Sequence, residues 1–341
     1  MRLKEPTGAG LTLLDRYGRP VTGLRIALTQ RCNLRCIYCH REGERREGAE
    51  MAPEEISEIV KLASGFGIRA VKLTGGEPLL RDDIVEVVCK IKREARVEDL
   101  SMTTNGTLLA EFARDLRASG LDRVNVSLDT LDKGTYERIT GSDRLGDVLS
   151  GVEAAIGAGL SPVKLNMVVM KGINDEEVWS MVEFAKGIGA ILQLIELESV
   201  FNEKVYERHH ADLLGLEKEL EKRSSRVEVR PLHHRRRYLL RGGGEVEVVR
   251  PMHNSEFCMN CKRIRVTSDG KLKPCLMRDD NLIDLIGALR DRAEPRKLRE
   301  AFMKAVELRA PFFVDEVLRG EPEGSFQHRL RDEGRGFVPK R

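Results

Sequence analysis

Six short runs rich in β-formers recur through the first two hundred positions. They are LRIALT (24–29), AVKLT (70–74), DLSMTT (99–104), RVNVSL (123–128), VKLNMVV (163–169) and ILQLIEL (191–197). Segments of helical periodicity lie between them. After Pro53, apolar groups fall at Ile56, Ile59, Val60, Ala63 and Phe66. DDIVEVVCKIKREA opens with acids and closes with bases, as the helix dipole favours, and LLAEFARDLRASG ends at a C-cap glycine, Gly120. Regular strand–helix alternation predicts a parallel sheet with right-handed crossovers. Six units are too few to close an eight-stranded barrel, so the expected fold is α/β, an incomplete (βα)6 TIM-like barrel. TQRC, TGGEP, TTNG and SLDT all follow strands, which places them at one mouth.

From about residue 200 the rhythm breaks. A helical stretch (211–223), two β-leaning segments and a charged helical region to about 310 predict a C-terminal α+β region. The expected organisation is an arm (1–22), the partial barrel (23–200), the C-terminal region (201–310) and a polar tail (311–341), partly disordered by its composition. No apolar run reaches the roughly 20 residues of a membrane-spanning helix, and MRLKEPTGAG has no secretion-signal core, so the expected location is cytoplasmic. With 58 basic against 55 acidic side chains, the net charge of +3 does not call for nucleic acid. The basic run His233–Tyr238 reads as a solvated loop.

Six of the seven cysteines form two groups of three, Cys32, Cys36 and Cys39, then Cys258, Cys261 and Cys275. Disulfide scaffolds are mostly small and secreted, so metal binding is the better reading. Cys89 stands alone among apolar residues and reads as a buried small hydrophobe. In the first group, zinc would need a fourth ligand such as His40, yet His40 adjoins Cys39 and points elsewhere. A cubane of four irons held by three thiolates keeps one iron free for another ligand, which accounts for the missing fourth cysteine. The second group allows zinc with His253, or a cluster. Arg263 and Arg265 follow Cys261 directly, pointing the same way on an extended segment and making a fork suited to an anion.

CNLRCIYCH resembles the CxxxCxxC loop of radical S-adenosylmethionine enzymes, with the aromatic Tyr38 before the third cysteine, and TGGEPLL (74–80) resembles their glycine-rich motif. Over about residues 20–310 the chain also resembles one branch of them, the GTP 3′,8-cyclases of molybdenum cofactor biosynthesis, in an archaeal-like form. LRIALTQRC, KLTGGEPLLR, NVSLDT, KLNMVVMKGIND and RIRVTSDGKLKPCL carry that likeness. The resemblance implies a radical SAM barrel with two [4Fe-4S] clusters, each on one cysteine group, and S-adenosyl-L-methionine as cofactor. It implies that Tyr38, Gly76 and Ser127 contact S-adenosylmethionine, and that Arg25, Lys72, Thr103, Lys164, Arg263, Ile264 and Arg265 contact GTP. Arg263 and Arg265 are the pair it assigns to catalysis.

The implied partners are GTP, a low-potential electron donor, the next enzyme of the molybdopterin pathway and a second copy of the chain. Two other readings are a peptide-modifying radical enzyme and a non-catalytic zinc- or nucleotide-binding protein. Some positions depart from the bacterial pattern. Lys72 and Gln193 stand where arginines are common, Glu198 stands where a methionine is, and Lys340-Arg341 ends the chain in place of Gly-Gly.

Overall fold

The computed structural model describes residues 3–4, 12–44, 48–200 and 202–314. Six strands alternate with helices as expected: β1 (Gly23–Ala27), β2 (Ala70–Thr74), β3 (Asp99–Thr104), β4 (Arg123–Ser127), β5 (Lys164–Val169) and β6 (Ile191–Glu196). Each pairs in parallel with the next. Helices α1 (Pro53–Ser64), α2 (Ile84–Glu94) and α3 (Leu109–Ala118) follow the first three strands. Proline at the first turn starts α1, and Gly120, at φ +102°, stands one residue past the α3 cap. Cys89 is exposed, contrary to expectation. The buried stripe of α2 is Ile84, Val87, Val88 and Ile91, and at 100° per residue Cys89 falls off it.

The C-terminal region extends the same sheet at both edges. Strands β7 (Ser224–Val229), β8 (Arg236–Leu240) and β9 (Glu245–Val249) form a meander whose β9 pairs in parallel with β6. On the other edge β10 (Arg263–Val266) pairs in parallel with β1 and continues antiparallel into Lys271–Lys273 and Ile283–Asp284. Eight consecutive strands, β10-β1-β2-β3-β4-β5-β6-β9, therefore run parallel in one open twelve-stranded sheet of the described residues. Phe66, just beyond α1, stacks on Phe302 at 5.2 Å, joining the last long helix (Pro295–Glu307) to the first half.

Strand alternation divides the sheet into two chemically different faces. Leu24, Ile26, Val71, Leu73, Leu100, Met102, Val124, Val126, Leu165, Met167, Leu192 and Leu194 are buried in the main hydrophobic core. Full burial of each such side chain contributes about 1.5–3 kcal/mol. The residues between them, Arg25, Lys72, Thr103, Asn125, Lys164 and Gln193 among them, line the concave face. A sheet packed on only one face leaves the other free to enclose a polar cavity. Pro311, Phe312 and Phe313 line that cavity, and residues 315–341, including Lys340-Arg341, lie outside the described residues. Among the described residues no helix is long and apolar enough to cross a membrane.

Candidate active site

The concave face encloses a cavity of about 800 Å³. All six grouped cysteines line it, as do Tyr38, Gly76, Ser127, Arg25, Lys72, Thr103, Lys164, Arg263 and Arg265. Ile264 does not: its side chain is fully buried in the hydrophobic core, because it alternates with the two inward-facing arginines. TQRC, TGGEP, TTNG and SLDT follow the C-terminal ends of β1 to β4 and share one mouth, as expected, but the two cysteine groups do not. Cys32, Cys36 and Cys39 follow the C-terminal end of β1, whereas Cys258 and Cys261 precede the N-terminal end of β10, its parallel neighbour. Cys275 follows the antiparallel strand Lys271–Lys273 and returns to that second end. The two thiol groups thus face the cavity from opposite ends.

The first cysteine loop is held by backbone. Arg35 and Ile37 donate to the carbonyls of Thr140 and Ile139, and Gly76 and Glu77 donate to those of Thr29 and Arg31. Gly75 has φ +145°, and a Cβ on Gly76 would stand 2.2 Å from the Arg31 carbonyl oxygen, so the glycine-rich turn has to approach the cysteine loop this closely. Glu77 accepts from Thr104 Oγ1 and from the Asn105 backbone, and Asn105 Nδ2 lies 3.8 Å from Cys32 Sγ. TTNG and GGEP therefore form one support under the thiols. Tyr38 donates to Asp129 at 2.6 Å, which fixes its ring. Burial pushes the Asp129 carboxyl up to about 6. His40 Nδ1 accepts from the Glu42 backbone and caps a short turn.

Among the described residues, no set of three or more His, Cys, Asp or Glu side chains closes around a single ion. The donor set, three thiols at each end and none of them in a disulfide, suits clusters. Burial pushes the Cys32, Cys36, Cys258 and Cys275 thiols up, so assembly would have to displace protons. Cys261 differs. Burial opposes its ionisation, but Arg309, Arg19 and Arg263 bring it down. Arg309 and Arg19 are buried behind the second group, share Asp15, and donate to the carbonyls of Cys261 and Cys258 at 2.6 and 2.7 Å.

Between the two ends the cavity is cationic. Twelve Lys and Arg residues line it, against five acids, Glu42, Asp99, Asp129, Glu196 and Glu198. Strand register produces this, because Arg265, Arg25 and Lys72 are successive partners across β10, β1 and β2. The Arg263 side chain has no ion pair or hydrogen bond among the described residues, and burial with Arg235, Arg25 and Arg265 nearby pushes its guanidinium well down. Lys72 donates to Asn125 at 2.8 Å, and burial with Arg123 and Arg25 nearby also lowers it strongly.

Two carboxylates that sequence reasoning missed organise these cations. Glu42 receives Arg25 at 2.5 Å and Arg265 at 2.9 Å, and accepts from Thr74 Oγ1. Burial disfavours its charge, but the two arginines overcome that and hold it at about 2. Glu247 receives Lys164 at 2.6 Å and Arg230 at 2.5 Å, with Arg235 at 3.8 Å. Its carboxyl is likewise held at about 2 against burial, by Lys164, Arg235 and Arg230. The basic run is not a solvated loop either. His233 stacks on Phe257 at 3.9 Å, and Arg235 turns into the cavity with a side chain only 9% exposed.

Glu44 supplies a pH prediction. It accepts from the Ser268 backbone and from Ser268 Oγ, and burial pushes its carboxyl from 4.5 up to about 7. A raised acid stabilises the fold below the unfolded value and loses that contribution as pH rises through the folded one, here from about 4.5 to above 7. Thermal unfolding under anaerobic conditions is expected to show the wild type losing stability from pH 5 to pH 8 relative to Glu44→Gln. The difference should be on the order of 3 kcal/mol, and parallel curves would contradict it.

Comparison with known proteins agrees with this geometry. The chain matches the radical SAM superfamily over residues 26–185 and the Molybdenum Cofactor Synthesis C family over residues 190–313. Its fold is similar to that of Streptococcus suis SuiB bound to S-adenosylmethionine, at 16% identity and TM-score 0.60, covering 89% of this chain and 79% of that one. It is also similar to anSMEcpe with bound AdoMet, at 19% identity and TM-score 0.60, covering 87% and 85%. The parallel strand–helix sheet, the cysteine loop and the family match define a radical SAM enzyme. The chain is 52% identical over 308 residues to the probable GTP 3′,8-cyclase of Pyrococcus abyssi, covering 89% of this chain and 100% of that one. With the counterpart from Methanothermobacter marburgensis it is 49% identical over 301 residues, covering 88% and 98%. The chain belongs to the GTP 3′,8-cyclase family.

Proposed function

We propose that the protein converts GTP to (8S)-3′,8-cyclo-7,8-dihydroguanosine 5′-triphosphate, a lyase reaction that is the first step of molybdopterin biosynthesis. The observation that carries this reading is the cationic cavity spanning two cysteine triplets at opposite ends of one parallel sheet. A nucleoside triphosphate is long enough and anionic enough to lie between them. Cys32, Cys36 and Cys39 would hold one [4Fe-4S] cluster with an iron left for S-adenosylmethionine, and Cys258, Cys261 and Cys275 the other. When bound, the first cluster and S-adenosylmethionine supply the 5′-deoxyadenosyl radical that removes the ribose 3′ hydrogen.

The protein's own residues orient and shield. Tyr38, Gly76 and Ser127 border the end where S-adenosylmethionine would bind. Arg25, Lys72, Thr103 and Lys164 line the middle, where they would hold sugar and phosphates. Arg263 and Arg265 stand beside the second cysteine group. There they stabilise charge while C3′ bonds to guanine C8 and one electron and one proton complete the product. Ile264 takes part only through its place between them. The same reading calls for a low-potential electron donor, a following enzyme that consumes the cyclised nucleotide, a homodimer and a cytoplasmic setting.

Reconstituted anaerobically with iron and sulfide, the protein is expected to be brown. Given reductant and S-adenosylmethionine, it should release one 5′-deoxyadenosine for each cyclised nucleotide, measured by liquid chromatography. A colourless protein with two zinc ions and no turnover would contradict the proposal.

A further inference from the structure

The turn from Arg230 to Arg235 leads into the basic run and borders the cavity. The Arg230 N–H donates to the Arg235 carbonyl at 2.9 Å and closes the turn. The His233 N–H donates to the Asn260 carbonyl at 2.9 Å, and its ring stacks on Phe257, so the turn is pinned to the segment carrying Cys258 and Cys261. Both arginines line the cavity, whereas Glu247 lies behind them, fully buried on β9.

That arrangement leaves hydrogen bonds unmade. Arg235 Nε is buried and has no partner, and Arg235 meets Glu247 only at 3.8 Å, beyond hydrogen-bond reach. A buried guanidinium N–H without an acceptor is costly, and in a cavity rich in cations the acceptor that best satisfies it is an anion. Lys164 and Arg230 both donate to Glu247 Oε1, and Oε2, 3.8 Å from Arg235, is itself buried without a hydrogen-bond partner, so Glu247 holds Arg235 beside it without satisfying it. Nε and a terminal nitrogen of one guanidinium match two oxygens of a phosphate.

We propose that Arg235, backed by Arg230 and positioned by Glu247, anchors the phosphate chain of the nucleotide. This rests on reading the cavity as the GTP site. It makes affinity depend on the number of phosphates more than on the base, with Arg235 as a specificity-determining residue and Glu247 as a positioning residue. The pinned turn holds the guanidinium ready, so little ordering accompanies binding.

The test is equilibrium binding to the cluster-reconstituted protein, using GTP, guanosine and inorganic tripolyphosphate as separate probes. Arg235→Gln is expected to weaken GTP and tripolyphosphate about tenfold to a hundredfold and to leave guanosine within about twofold. Arg235→Lys, which keeps the charge and loses the fork, should fall between. Loss of all three probes together in Arg235→Gln, or GTP and tripolyphosphate affinity equal to wild type, would overturn the proposal. Wild-type protein that binds tripolyphosphate and not GTP, with the former weakened in Arg235→Gln, would sink the GTP reading and leave the phosphate anchor standing.

Discussion

Replacing Cys36 with alanine is expected to abolish 5′-deoxyadenosine formation, a fall of more than about a thousandfold, and to halve the iron content from about eight to about four per chain. Cys36 lies between two backbone hydrogen bonds, Arg35 to Thr140 and Ile37 to Ile139, which do not involve its sulfur. The loop therefore keeps its course when the thiol is gone, and only the donor is lost. Two remaining thiols, Cys32 and Cys39, do not secure a cluster that needs three. The second group, at the other end of the sheet, should still load. Iron analysis, S-adenosylmethionine cleavage and thermal unfolding together read this out. A variant that keeps cleavage, or that loses both clusters at once, would contradict the assignment of two independent triplets.

The second large effect is expected at Glu42. The residue is 6% exposed and its carboxylate bridges Arg25 and Arg265, so it joins the loop after the first cysteines to the strand after Cys261. Removing one partner of a buried ion pair leaves the other charge uncompensated, which costs about 3–5 kcal/mol. Here two arginines lose their shared partner. Glu42→Ala should therefore melt well below wild type by calorimetry. Because the freed arginines face the cavity, inorganic tripolyphosphate should raise the melting midpoint of the variant more than that of the wild type. Equal midpoints would mean that Glu42 is a passive neighbour of the two arginines, and an equal response to tripolyphosphate would mean that the freed cations do not reach the anion.

The strand–helix half was legible because its signal is local. β2 and β3 begin and end where the apolar runs AVKLT and DLSMTT do. The inward cations Arg25, Lys72 and Lys164 came from the family resemblance, and strand alternation agrees with it, since a charge inside an apolar strand marks the other face. Glu247 carried that signal too, alternating with Val246 and Val248 in EVEVV. Other features depend on sheet order, which no local window contains. Whether Cys258 and Cys261 share a mouth with Cys32 turns on β10 pairing parallel to β1, so that a motif before one strand lies opposite a motif after the other. The inward turn of His233 and Arg235 depends on stacking against Phe257 and on Glu247 waiting on a neighbouring strand. Composition alone makes HHRRRY look solvated. Glu42 left no trace in sequence, because its acidic neighbours Glu44 and Glu50 look the same and only the fold selects it.

The central claim is that a radical formed at the first cysteine group acts on GTP held toward the second. The most direct test is anaerobic turnover with GTP deuterated at C3′, followed by mass spectrometry of both products. The account predicts deuterium in 5′-deoxyadenosine together with a 3′,8-cyclised nucleotide that has lost it. Unlabelled 5′-deoxyadenosine with intact GTP would contradict it, leaving the radical chemistry in place and removing GTP as its target.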